Sequence, residues 1–402
     1  MISLADIQSA RERIRDRIYA TPAPLSATLS RATGNALHLK LENLHDTGSF
    51  KERGALNRIL TMTDDERSRG VITASAGNHG QAVAYHATRH GIRARICMPE
   101  FTPIVKVTAV AGYGGEVVLH GTNYDEAVDK ARELAAQQRL TYLPAFDDPA
   151  VIAGQGTIGL ELLEQIPDLD AVVVPVGGGG LIGGIGCAIK ETRSAVRIVG
   201  VQAAAIPSME AAVREHAPVL VPAKSTIADG IAVRQVGDLT LPLFEKYADE
   251  LLIVEDEEIA MAILWLLEKE KTVAEGAGAA ALAALLRHKT SLEGKKVAVI
   301  VSGGNIDMLM ISHIIERGMV KDGRLVRVRV ELPDHPGGLQ KLAGLIAAAR
   351  ANIVEALHDR TYFGVALGNT IIDLTIETRG PEQVEQILER LAEAGYPFER
   401  VR

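Results

Sequence analysis

Cysteine is nearly absent from this chain: there are two, Cys97 in an apolar strand-like segment and Cys187 in a helical one. They lack the paired spacing of a metal site, which excludes a thiolate-held ion and leaves both as reduced, buried and inert side chains. A basic stripe is missing too, and with a formal net charge of -8 the sequence argues against nucleic acid as a partner. No apolar run approaches the length of a membrane span, so no membrane partner is expected. The opening Met1-Ile2-Ser3-Leu4-Ala5-Asp6 has neither the basic start nor the apolar core of a signal peptide, and the cytoplasm is the expected compartment. Aromatic residues are few, and the one tryptophan, Trp265, reads as core.

What is present is the composition of a globular protein, 47% hydrophobic and 23% charged over 402 residues, enough for two or three domains. From about residue 37 to 302, short apolar strands such as Ala94–Pro99, Glu116–Leu119 and Arg197–Val201 alternate with helical patterns. Repeated βα units imply parallel sheets covered on both faces, with ligands at the carboxyl ends of the strands. After Gly318 the pattern changes. Val326, Val328, Val330 and Leu332 alternate with Arg327, Arg329 and Glu331, the period of a half-exposed strand. An alanine-rich helix, strands near 352–358 and 372–376 and a helix presenting Val384, Ile387, Leu388 and Leu391 complete a βαββαβ plan, a ferredoxin-like unit.

The stretch from Leu39 to Ala55 carries the first chemical signal, because it puts Lys51 at the mouth of a helix. Ser49 and Glu52 have the spacing of a capping box. A cation in the first turn is disfavoured by the helix dipole, so the neutral, nucleophilic amine becomes more accessible, the state needed to join an aldehyde and then act as a base.

Three glycine-rich turns follow apolar strands. In Val71 to Ala82 the turn should aim several backbone N–H groups and the Ser75 and Asn78 side chains at one point, which suits a carboxylate. After Ala171–Val176 come Gly177, Gly178, Gly179, Gly180 and Leu181, a run whose backbone can wrap an anion such as phosphate at the start of a helix. After Val297–Val301 come Ser302, Gly303, Gly304 and Asn305. None of these reads as a dinucleotide fingerprint or a Walker loop, since the glycine run lacks the Gly-Lys-Ser/Thr ending and a ribose-binding acid downstream.

In that order the motifs Gly48-Ser49-Phe50-Lys51, Ser75 to Gly80, Gly177 to Leu181 and Ser302 to Asn305 resemble the fold-type II pyridoxal phosphate enzymes. Within them the chain resembles the threonine ammonia-lyases (threonine dehydratases) and their relative serine racemase. Val151 to Thr157 and Ser225 to Gly230 match that subgroup, and the resemblance covers roughly residues 1 to 320. It implies an α/β fold of two parallel-sheet subdomains and pyridoxal 5'-phosphate as cofactor. Lys51 would carry the cofactor and Phe50 would pack on its ring. Asn78 would bond the ring oxygen, Gly177 to Leu181 the phosphate, and Ser302 the pyridine nitrogen. Ser75, Ala76, Gly77, Asn78 and His79 would hold the substrate carboxylate.

The implied reaction is β-elimination from L-threonine, giving 2-oxobutanoate and ammonia, with L-serine as a lesser substrate giving pyruvate. The freed Lys51 amine would take the α-proton, and a neutral hydroxyl at Ser302 would leave the ring a weaker electron sink, which suits prompt loss of a β-leaving group. Serine racemase carries a second serine where this chain has Ala76, and alanine cannot return a proton. The racemase-like divalent-ion site needs carboxylates, and Val201 to Ser208 offers none before Glu210, so no metal is expected. The rival readings are a serine-preferring dehydratase or a racemase and, outside enzymes, an amino-acid sensor; the intact Lys51 and glycine turns count against the sensor.

Residues 1–320 are thus expected to form the catalytic domain and 325–402 a regulatory one. Asp334, Pro336, Gly337, Gly338 and Leu339, at the first strand-helix turn of the latter, are similar to the ligand turn of ACT domains, which bind amino acids and pair across subunits. An amino-acid effector there, isoleucine or valine by resemblance, and a homodimer or homotetramer are the implied partners. Long biosynthetic threonine ammonia-lyases, the enzymes of isoleucine biosynthesis, carry a larger, duplicated regulatory region. There is room here for one copy, so isoleucine feedback does not simply carry over.

Overall fold

A computed structural model describes residues 1–359 and 366–401. The chain divides into two compact units, Met1–Ile306 and Asp307–Arg402. In the first, nine strands run in chain order: β1 (Ala36–Leu41), β2 (Val71–Ala74), β3 (Ala94–Met98), β4 (Glu116–Leu119), β5 (Thr141–Tyr142), β6 (Ala171–Pro175), β7 (Arg197–Ala203), β8 (Glu250–Val254) and β9 (Lys296–Val301). They form two wholly parallel sheets, ordered β1-β9-β6-β7-β8 and β4-β3-β2-β5. Val71 to Ala74, Ala171 to Pro175 and Val297 to Val301 are buried throughout, as continuous apolar strands between two helical layers must be. Both cysteines are buried, and burial pushes the Cys97 thiol up to about 11.

Close helix contacts bring the motifs together. The Pro149–Gln165 helix packs against both the Lys51–Leu60 helix and the Gly180–Lys190 helix. A Cβ at Gly154 would lie 2.6 Å from the Arg53 carbonyl, and one at Gly184 would lie 2.5 Å from the Ile152 carbonyl. Backbones can approach so closely only where side chains are missing, and this places the start of the lysine helix and the glycine run around one central helix. Trp265 is half-buried rather than core. The buried residues of its helix are Ile259, Ala262, Ile263, Leu264 and Leu266, and Trp265 is not among them.

The second unit opens with the Met308–Lys321 helix and continues as β10 (Leu325–Pro333), the Gly338–Ala348 helix, β11 (Asn352–Asp359), β12 (Asn369–Glu377), the Pro381–Glu393 helix and β13 (Phe398–Val401). Its antiparallel sheet has the order β11-β12-β10-β13. The alternation seen in sequence decides its faces: Val326, Val328, Val330, Ile372, Leu374 and Ile376 pack with Leu342, Ile346, Val384, Ile387 and Leu391.

Candidate active site

Lys51 is the first residue of its helix. Its Nζ donates to the Ala145 carbonyl at 2.8 Å and lies 5.0 Å from the centre of the Phe50 ring. Burial of the amine lowers its pKa to about 8, with the negative charge of Glu275 opposing part of that shift. The local turn differs from the sequence expectation, since Ser49 does not cap the helix. Phe50 is the N-cap and no side chain caps the first turn, because the Phe50 N–H is drawn to the Ser302 carbonyl at 3.1 Å and Ser49 pairs with Gly303. Glu52 turns instead to the Thr47 N–H and sits 3.3 Å from His86 Nε2. The Ser49 and Phe50 bonds tie the lysine turn to the residues directly after β9.

The glycine run follows β6 and enters the next helix with Gly179 at φ 93°, a conformation that requires glycine. Phe146, the neighbour of Ala145, fills the space a side chain would take: a Cβ at Gly178 would lie 2.5 Å from its ring, and one at Gly180 would lie 2.9 Å from its carbonyl. Thr240 Oγ1 donates to the Gly178 carbonyl at 2.5 Å. Gly178, Gly179, Gly180 and Leu181 are buried, yet their N–H groups and that of Gly177 donate to no protein atom among the described residues. Buried backbone donors at a helix start are seldom left unpaired, and this set suits a phosphate. The residues present therefore fit a phosphorylated aldehyde joined to Lys51.

Ser75 follows β2, and its Oγ accepts from the Gly77 N–H at 3.2 Å. Around Gly77 a Cβ would meet nothing within 4 Å among the described residues, so the turn borders open space. Ser75, Ala76, Gly77 and Asn78 are half-buried. Asn78 opens the next helix, bonding Glu275 Oε1 at 2.6 Å through Nδ2 and accepting from Asn305 Nδ2 at 2.7 Å. His79 is buried with Nε2 3.1 Å from the Leu143 carbonyl, and Nδ1 has no partner among the described residues. Burial first, and the Lys51 charge second, push its pKa down to about 3, so it is neutral at physiological pH. Ser302 is buried directly after β9. Sequence position alone thus placed these residues at strand ends that the fold does bring together.

Two groups escaped the sequence reading. Glu275, between Ala274 and Gly276 in an otherwise apolar stretch, is buried beside Asn78; burial, and next the nearby Asp229 charge, push its carboxyl up to about 7. A lone acid in a run of small apolar residues is the signal that could have found it. The other is a buried ion cluster beneath the lysine helix. Arg53 bonds Glu42 at 2.7 and 2.9 Å and Glu161 at 2.5 and 2.9 Å, while Lys40 bonds Glu161 at 2.5 Å. Nothing in the local pattern distinguishes these from surface charges.

The profile of the family described as pyridoxal-phosphate dependent enzyme matches residues 14–303. An L-threonine ammonia-lyase of Thermotoga maritima is 47% identical over 396 residues, 98% of each chain. The catabolic L-threonine dehydratase of Escherichia coli is 41% identical over 78% of this chain and 96% of its own. Among solved structures, threonine deaminase isoform 2 of Solanum lycopersicum superposes with a TM-score of 0.74 at 37% identity, covering 78% of this chain and 91% of that one. Maize serine racemase gives 0.75 at 32% identity, covering 80% and 98%.

Proposed function

Since the chain belongs to the family of pyridoxal-phosphate dependent enzymes, we propose that it eliminates and deaminates L-threonine to 2-oxobutanoate and ammonia. The observation that carries this reading is the pairing of a desolvated Lys51 amine with five unpartnered N–H groups in the Gly177–Leu181 run. When bound, the cofactor supplies an aldehyde for the amino group and a ring that withdraws the electron pair left at the α-carbon.

The chain's own residues do the rest. Phe50 would pack on the ring, Asn78 would bond its oxygen, and the Ser302 hydroxyl would face its nitrogen without adding charge. The Gly177–Leu181 N–H groups would hold the phosphate. Ser75, Ala76, Gly77, Asn78 and His79 would line the carboxylate site, with His79 neutral so that it adds no competing charge. Lys51, with a pKa near 8, holds a useful neutral fraction close to neutral pH and would take the α-proton at Nζ. The β-hydroxyl then leaves with a proton as water, which balances the α-proton taken by Lys51, and the released enamine tautomerises and hydrolyses, water in and ammonia out. Ala76 supplies no acid on the far face, so the proton is not returned there.

Two results are expected. Purified protein with pyridoxal phosphate should form 2-oxobutanoate from L-threonine and pyruvate more slowly from L-serine, while chiral analysis of recovered serine shows little D-isomer. Racemisation as fast as elimination would transfer the reading to a racemase, the activity named for the maize relative. Threonine and serine differ by one methyl, worth about 1 to 3 kcal/mol of discrimination in a pocket, so side-by-side kinetics decide the preferred substrate.

We read the second unit as an ACT-like regulatory domain that binds an amino acid and joins subunits into a homodimer or homotetramer. Its βαββαβ order supports this, as does the turn of Asp334, Pro336, Gly337, Gly338 and Leu339 between β10 and the next helix. Gly337 caps that helix at φ 90°. The N–H groups of Gly337 and Leu339 have no bond among the described residues. Isoleucine or valine should bind the full-length protein in calorimetry and change its activity, and Gly337→Val, strained at that φ, should abolish the response. A full-length enzyme indifferent to every branched-chain amino acid would make the unit a structural element only.

A further inference from the structure

The polar groups around Asn78 have a direction, and it starts at a backbone carbonyl. The Thr47 oxygen can only accept, so the Asn305 atom 2.7 Å from it is Nδ2. The second proton of that nitrogen points to Asn78 at 2.7 Å, which makes the receiving atom Oδ1. The other end of the Asn78 amide is therefore Nδ2, and it donates one proton to Glu275 Oε1 at 2.6 Å. Its second proton has no protein acceptor among the described residues. An amide free to flip could offer a ligand either end, but this one cannot.

Glu275 is built for this contact. It stands at the N-cap of the Gly276–Leu286 helix, where an acidic side chain ordinarily folds back onto its own first turn, yet it makes no such bond. Its N–H is held by the Gly303 carbonyl at 3.1 Å. A Cβ at Gly303 would lie 2.3 Å from Oε1 and 3.1 Å from Asn78 Nδ2, so glycine there leaves room for the carboxylate to reach the amide. Charged or neutral, a carboxyl keeps an oxygen that accepts.

We infer that Glu275, with Asn305, is a positioning residue that locks the Asn78 amide so that it offers the cofactor ring oxygen a donor and never an acceptor. This rests on the reading that Asn78 faces that oxygen. A donor stabilises the oxygen as an anion and leaves the proton on the nitrogen shared with Lys51, the form that absorbs at longer wavelength and is more readily attacked by an incoming amine.

The test uses the full chain loaded with pyridoxal phosphate, with bound cofactor counted after alkaline release. Glu275→Ala removes the acceptor that holds Nδ2, and Asn305→Asp replaces the donor that holds Oδ1 with an acceptor, so each variant takes away one of the two bonds that lock the amide. Each should lower the ratio of long- to short-wavelength cofactor absorbance about tenfold at unchanged cofactor content, as expected for loss of one charge-assisted or orienting bond. The kcat for threonine should fall more than KM rises. Glu275→Gln, whose amide oxygen still accepts, should restore most of the long-wavelength band. Wild-type band ratios in both breaking variants at full cofactor content would overturn the inference. A wild-type chain that takes up no cofactor would instead overturn the functional reading, and this inference with it. Two independent breaks keep the result decisive if one variant folds poorly.

Discussion

Lys51→Ala should abolish threonine deamination, by at least about 10⁴-fold, since it removes the group that would carry the cofactor together with a general base, a role alone worth about 10² to 10⁴. Steady-state rates, with and without added alkylamine, measure the loss, and the absorption band of lysine-bound cofactor should vanish with it. The fold should survive, because the amine is an electrostatic burden on the cofactor-free protein. Its pKa falls from 10.5 to about 8 on folding, so between those values the unfolded chain binds more protons than the native one. Stability of the cofactor-free wild type should therefore rise with pH from about 8 to about 10.5 through this group, and Lys51→Ala should lack that rise. Urea titrations at pH 7 and pH 10 distinguish the two. A variant that keeps a tenth of the activity, or the band, would remove Lys51 from the mechanism.

The second large effect is on folding. Arg53 is wholly buried, with Glu42 on one side and Glu161 on the other, and Lys40 completes a cluster whose charges cancel. His45 Nε2 lies 3.1 Å from Glu42, and Thr157 accepts from Arg53 at 3.1 Å. Arg53 and His45 together hold the Glu42 carboxyl well below its usual range despite its burial, and burial lowers the Lys40 amine. Arg53→Ala leaves two buried carboxylates facing one ammonium and should cost about 3 to 5 kcal/mol, a large share of the total stability of a typical domain. Arg53→Lys should rescue little, because a single ammonium cannot make the guanidinium's paired bonds to both acids. The urea midpoint gives the answer. A shift of less than about 1 kcal/mol would show that the carboxyls relax by taking up protons. Because Arg53 lies two residues from Lys51 on the same helix, surviving variants should also lose activity.

Much of the site was legible because its requirements are local. Gly179 needs a positive φ, the glycine run needs bare backbone at a helix start, and the apolar strands before Ser75, Gly177 and Ser302 announce parallel sheets with turns at their carboxyl ends. The alternation around Val326 to Leu332 likewise assigned the inner face of the antiparallel sheet before any packing was known. These features follow from backbone sterics and hydrophobic period, which neighbouring residues alone determine. The capping box failed for the opposite reason. Ser49 and Glu52 have the right spacing, but Ser302 claims the Phe50 N–H from across the fold and the Thr47 N–H, five residues back, claims Glu52, and together these outweighed a capping preference worth about 1 kcal/mol. Glu275 and Asn305 lie 197 and 227 residues from Asn78, and Arg53 meets Glu161 across 108. The chemical repertoire of the chain, a lysine at a helix start, two anion-seeking turns and a third glycine turn that places Ser302, was determined by the sequence itself. Which end of the Asn78 amide faces the site, and which buried charges neutralise one another, was decided only by tertiary structure, because hydrogen-bond direction and desolvation depend on which distant atoms arrive within about 3 Å.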